Sequence, residues 1–174
     1  FPSFLGEKNM VRSLNSKKFA DAFEEALSHF TNDLEKPIVG YRFRPSPIKH
    51  YMNTTPFKNN SSKPSYMVNV NNNKKNTSFL EEISYDATVG WFAHELQHVV
   101  EYIHMTPSQK IKFTLTYLLS NKFRQKVENR IDRRVIERGL EDQVVAGLED
   151  VLTSNNVDDS YKHKIRTVYL PQGE

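Results

Sequence analysis

The sequence predicts an α+β fold in which a small antiparallel sheet follows one helix and precedes a run of further helices. Three observations predict it. Apolar residues pass from helical spacing to alternation and back again along the chain, and the strands do not alternate with helices as a parallel sheet requires. The chain has 174 residues and no Cys, which suits one domain held by burial rather than by disulfides. No apolar stretch approaches the roughly 20 residues that cross a bilayer. The longest, at 89–93, is interrupted by Gly90, so a membrane span is excluded.

Between residues 16 and 34, Phe19, Phe23, Ala26, Leu27, Phe30 and Leu34 recur at spacings of three and four, predicting an amphipathic helix capped by Ser16. Pro37, Gly40, Pro45 and Pro47 then exclude helix, and residues 38–44 alternate as a short strand with Tyr41 and Phe43 on one face. The polar turn formers at 53–63 predict an exposed loop. Tyr66, Val68 and Val70 alternate with Met67, Asn69 and Asn71, giving a strand expected at the sheet edge and ended by Asn72-Asn73-Lys74-Lys75. From residue 84 to about residue 153 the pattern is helical, with breaks near Pro107 and Gly139.

Composition narrows the chemistry. Without Cys there is no thiolate zinc finger, iron–sulfur cluster or cysteine nucleophile, so any metal must sit on His, Asp, Glu or Tyr. The net charge of +3 gives only a weak field and does not by itself argue for nucleic acid.

The informative motif is His94-Glu95-Leu96-Gln97-His98, an HExxH sequence inside the predicted helix 84–105. Four residues of helix turn through about 400°, so both imidazoles leave one face about a turn apart and can bind one zinc. Glu95 adjoins the first ligand. It is placed to accept a proton from a zinc-bound water and pass it to a leaving amine. The flanking Val89, Trp91, Phe92, Leu96, Val99 and Val100 predict that the helix is largely buried, where polar groups without partners would be costly.

Two residues compete as third ligand. His104 lies six residues after His98, where the metzincin pattern HExxHxxGxxH has its last histidine. Glu101 stands where that pattern needs Gly, no Met follows Met105, and in a continuous helix His104 points about 240° away from His98. Glu128 lies on a predicted helix 121–138, in Glu128-Asn129-Arg130-Ile131-Asp132. From there it can reach the metal, while Asp132, one turn further, accepts the distal N–H of His94 or His98 and fixes its tautomer. Glu101 reads as solvated or paired with Lys or Arg.

HExxH followed by ExxxD on a second helix resembles the gluzincin metallopeptidases, and the short chain is most similar to the compact minigluzincins. The resemblance covers about residues 64–138, as the core of one zincin-like domain over 1–174. It implies zinc on His94, His98 and Glu128, with Asp132 behind them and Glu95 as general base. It also implies an endopeptidase that holds a peptide or protein substrate extended along a sheet edge.

Tyr161, His163 and Tyr169 are candidates for stabilising the oxyanion, because the segment 157–174 is long enough to return to the cleft. That tail, with Val168-Tyr169-Leu170 extended and Pro171 as a stop, is expected to pair with the edge strand 66–71, either assisting catalysis or covering the site. The rival reading is nucleic-acid binding by helix 121–138, where Lys122, Arg124, Lys126, Arg130, Arg133, Arg134 and Arg138 face Glu128, Asp132 and Glu137. Its cations are spread over several faces rather than in one stripe. A third reading is a zinc-bound domain without turnover. The chain opens at Phe1 without an initiator Met, which reads as a processed or a truncated form and leaves localisation open, with a secreted or periplasmic protein favoured over a cytoplasmic one and a monomer expected.

Overall fold

The structure, a computed structural model, describes residues 15–35, 37–58 and 62–168. Helix α1 (Ser16–Ser28) is capped one residue earlier than expected: Asn15 Oδ1, not Ser16, accepts the Lys18 N–H at 3.1 Å. The helix stops at Ser28, but Phe30 and Leu34 remain buried in the turns that follow, so the apolar periodicity outlasts the helix.

Three strands follow, β1 (Ile38–Phe43), β2 (Met52–Pro56) and β3 (Ser65–Val70), in the order β1-β3-β2. Two expectations are corrected here. The sheet is mixed: β2 runs antiparallel to β3, but β1 pairs with β3 in parallel. The strand at 66–71 is central rather than an edge, which suits its burial, since Tyr66, Val68, Asn69 and Val70 are all covered. The predicted loop 53–63 is also partly strand. The β-branched Thr54 and Thr55 suit a pleated edge, and Asn69 Nδ2 donates across the ladder to Asn53 O and Thr55 Oγ1 at 3.3 and 3.0 Å. Residues 59–61 of that loop lie outside the described residues.

Helices α2 (Thr77–Glu82), α3 (Tyr85–Ile103), α4 (Pro107–Leu119), α5 (Asn121–Glu137), α6 (Glu141–Thr153) and α7 (Asp159–Val168) complete the chain. Each break has a local cause. Thr106 and Gln109 form a capping box in front of Pro107, Ser120 Oγ accepts the Phe123 N–H to start α5, and Gly139 leaves α5 with φ at 85°. The fold class is therefore α+β, with the sheet on one side of the helices. Among the described residues no helix is long and apolar enough to cross a membrane.

Helix α3 runs through the middle. Its Phe92 meets Phe23 and Tyr41 with ring centroids 5.2 and 5.3 Å apart, joining α1 and β1 to the same core. On its other side it crosses α6 so closely that a Cβ on Gly90 would lie 2.3 Å from the Gln143 carbonyl oxygen. The tail is helical as far as Val168, the first residue of the segment expected to be extended. Val157, Tyr161 and Ile165 recur every four residues, and Val157 and Ile165 are buried, so α7 packs by one face on α5 and α6 and has no free edge of β3 to join. Tyr169, Leu170 and Pro171 lie outside the described residues.

Candidate metal centre

Ser84 Oγ caps α3 by accepting the Ala87 N–H, and the apolar run behind it holds the helix straight through the HExxH segment. The imidazoles of His94 and His98 consequently sit one turn apart on one face, with ring centroids at 5.0 Å. Helix α5 presses one narrow stripe, Val127, Glu128, Ile131 and Val135, into the core and so carries Glu128 with it. Glu128 is 3% exposed, and a carboxylate buried that far is costly unless partnered. Its partners are His94 Nε2 at 2.9 Å, His98 Nε2 at 3.8 Å and the Tyr117 hydroxyl, which donates to Oε1.

His94, His98 and Glu128 form a group that could hold a metal ion, each offering one donor atom and all of these within 4.8 Å of one another. The spacing fits. Four-coordinate zinc with bonds near 2.1 Å has donors about 3.4 Å apart. The observed Nε2–O separations of 2.9 and 3.8 Å bracket that value. Two imidazole nitrogens and one carboxylate oxygen are also a donor set that zinc accepts while keeping a fourth position for water.

The two histidines are oriented differently. His94 Nδ1 lies 2.7 Å from Asp132 Oδ1, the relation expected of a ligand whose far nitrogen is fixed by a carboxylate. Burial opposes its charge, yet Asp132 and Glu128 outweigh burial and hold its pKa well above the ordinary imidazole range. Glu128 answers in kind: burial pushes its pKa up, but the hydrogen bond and charge of His94, with His98 and Tyr117, hold it well below the carboxylate range. His98 is 6% exposed and its pKa is lowered, first by burial and then by the charge of His94. Its Nδ1 has no hydrogen-bond partner among the described residues, and packing holds the ring instead, with Tyr102 stacked 5.8 Å away.

This group faces a cleft of about 720 Å³ that also contains Glu95, Thr54, Tyr102, Tyr117 and Tyr161. Glu95 is steered by the sheet, since the Thr54 hydroxyl of β2 donates to its Oε2 at 2.7 Å. A smaller hollow of about 480 Å³ between segments 45–47 and 73–75 contains no His, Asp or Glu.

The remaining candidates separate. His104 is the exposed C-cap of α3, outside both the donor group and the cleft. Glu101 is bonded through both carboxylate oxygens to Arg130. Tyr161 lines the cleft, His163 is exposed and outside it, and Tyr169 lies outside the described residues. Of the basic residues at 121–138, Arg130, Arg134 and Arg138 are paired with Glu101, Glu137 and Asp33, which leaves no continuous cationic stripe.

Sequence reasoning missed Thr54, Tyr102 and Tyr117. Tyr102 stands four residues after His98, so helical spacing alone could have placed it against that ring. Thr54 and Tyr117 come from a strand and a helix distant in sequence and gave no local signal. Comparison with known protein families, with curated proteins and with solved structures finds no match.

Proposed function

We propose that the protein is a zinc-dependent peptidase that hydrolyses peptide bonds with Glu95 as general base. The observation that carries this reading is the convergence of His94, His98 and Glu128 beside Glu95 in one cleft. The HExxH and ExxxD resemblance to gluzincins supports the same assignment. Bound there, zinc supplies Lewis acidity, polarising a carbonyl and lowering the pKa of a coordinated water to about 7.

The protein's own groups do the rest. The Glu95 carboxylate, oriented by Thr54, takes a proton from the attacking water and returns it to the departing amine as the C–N bond breaks. Asp132 holds His94 in a fixed ring orientation through Nδ1, and Tyr117 holds Glu128. The Tyr161 hydroxyl is the donor assigned to the developing oxyanion, because Tyr161 lines the same cleft, whereas the Tyr117 hydroxyl is committed to Glu128. Strand β2 takes the place first expected of 66–71. It is an edge strand, it lines the cleft, and an extended peptide can add to it by main-chain hydrogen bonds.

Glu95→Gln tests the reading. The variant should keep its zinc and its thermal melt and lose peptide hydrolysis by about 10²- to 10⁴-fold, the usual contribution of a positioned proton carrier. Unchanged turnover of a peptide library by Glu95→Gln would sink it.

A further inference from the structure

Of the cations that line the same cleft without a part in the hydrolytic scheme, Lys49, Arg124 and Lys164, the last two are seated on aromatic rings. Arg124, on α5, lies with its guanidinium carbon 5.2 Å from the centroid of the Tyr117 ring, the ring whose hydroxyl holds Glu128. Lys164, on α7, lies with Nζ 5.7 Å from the centroid of the Tyr161 ring, and that ring packs edge-on against Tyr51 at 5.1 Å. Each cation is therefore seated on an aromatic face next to the candidate centre, an arrangement that favours the cation without neutralising it.

Neither is in an ion pair with a carboxylate among the described residues. Arg130, Arg134 and Arg138 on the same stretch of chain each hold one, but Arg124 donates through Nε and Nη2 only to the Tyr117 and Leu118 carbonyls. Lys164 forms no ion pair among the described residues, and its pKa is lowered, first by partial burial and then by the charge of Arg124. The two are thus close enough to repel. Glu128 offsets this in part through its charge, and the cleft's carboxylates are hydrogen-bonded elsewhere, Glu95 to Thr54, Glu128 to His94 and Tyr117, and Asp132 to His94. Two cations held near each other, neither in an ion pair among the described residues, make a place for an anionic group of a ligand.

We infer that Arg124 and Lys164 form a subsite for a substrate carboxylate, so that the enzyme selects peptides bearing an acidic side chain or a free C-terminus at that end of the cleft. This rests on the peptidase reading for what the ligand is, but not for whether the subsite binds. Arg124 contributes a guanidinium with an Nη1 not committed to the protein's own carbonyls, suited to a planar carboxylate, and Lys164 a point charge on a flexible stem.

Trp91 is the chain's one tryptophan and lines the cleft, so its fluorescence reports binding without turnover. Zinc-loaded Glu95→Gln is titrated with blocked hexapeptides in matched sets: Glu against Gln at each position, and free against amidated C-termini. An anionic peptide should bind at least about 10-fold tighter than its neutral partner, as charge-assisted hydrogen bonds imply. The set in which the preference appears identifies the carboxylate as side chain or terminus. Arg124→Gln and Lys164→Gln, added separately and together, should remove it; Lys164 is exposed, so its variant keeps the fold even if Arg124→Gln disturbs α5.

Equal binding of neutral and anionic peptides, or a preference that survives the double variant, overturns the inference. If the wild type hydrolyses neutral and anionic peptides equally, the subsite falls and the peptidase reading stands. If nothing is hydrolysed but the carboxylate preference is present and is lost in the double variant, the subsite stands and the peptidase reading falls.

Discussion

Helices α3 and α5 meet at the candidate centre but are built in opposite ways. Helix α3 buries eleven of its 19 residues, around most of its circumference, whereas α5 buries four of 17, on a single stripe. A histidine almost anywhere on the middle of α3 is held in place by the core around it. Glu128 is held only because it lies beside Val127 and one turn from Ile131, on the seam by which α5 is attached. The two imidazoles are therefore positioned by bulk packing and the carboxylate by a narrow contact. Metal binding should depend on that contact as much as on the HExxH motif.

The largest expected effect tests this directly. Glu128→Ala should cost zinc affinity more than the roughly 10- to 100-fold typical of groups behind the ligands, because it removes one of three protein donors. His104→Ala should leave affinity unchanged, since that side chain is exposed at the end of α3. Elemental analysis with competition against a chromophoric chelator measures both. Equal losses would mean that the α3 helix alone defines the site.

Gly90→Ala comes next and breaks the comparison on the α3 side. A Cβ there would lie 2.3 and 2.6 Å from the Gln143 carbonyl oxygen and carbon, backbone atoms that a side-chain rotation cannot relieve. Overpacking of this kind typically costs about 1–3 kcal/mol, read from the denaturant midpoint. Gly147→Ala should cost less, because the nearest atom, at 2.8 Å, belongs to the Trp91 side chain. On α5, Asn129→Ala at an exposed position should stay within about 0.5 kcal/mol.

The same contrast explains what the sequence disclosed. The helices around 94–98 and 121–138 were legible because apolar spacing and HExxH lie within single elements. Glu128 and Asp132 were legible as a pattern, but on a helix so rich in charge the same spacing also marks ordinary surface pairs, and only the packing of α5 onto α3 separates the two. The sheet was less legible. Thr54 and Thr55 read as loop formers in a polar stretch, yet their pairing with β3 makes them an edge strand and turns 66–71 into the centre. Strand order depends on contacts between distant residues, which local alternation does not encode. For the same reason the pairing expected between the tail and 66–71 has no open β3 edge to use, and Val157, Tyr161 and Ile165 pack as one face instead.

Asp132→Asn should have a smaller effect than Glu128→Ala, about 10- to 100-fold in zinc affinity, since it changes only what orients His94. The variant also sharpens the pH behaviour. His94 has its pKa raised by Asp132 and Glu128, so it holds its second proton to higher pH than a free imidazole, and a metal binding there must displace that proton. Zinc affinity of the wild type should therefore rise with pH until that group has titrated, with proton release on binding. Calorimetry in buffers of different ionisation enthalpy should find less release from Asp132→Asn, where one of the two charges raising the pKa is gone. Greater release from the variant would contradict the assignment of Asp132 to His94.

The smallest effect is expected where the two helices touch at the surface. Arg130 of α5 donates through Nε and Nη2 to the two carboxylate oxygens of Glu101 on α3, at 2.8 and 2.7 Å. The geometry is bidentate, but the Arg130 side chain is 45% exposed, so water and salt screen the pair. A double-mutant cycle with Glu101→Gln and Arg130→Ala should give a coupling of about 0.2–1 kcal/mol, decreasing as salt is added. Zinc content should not change, because the seam of Val127, Ile131 and Val135 keeps α5 in register without this pair. A coupling several times larger, or loss of zinc from either variant, would show that α5 is held at its rim. The buried stripe would then not be what brings Glu128 to the histidines.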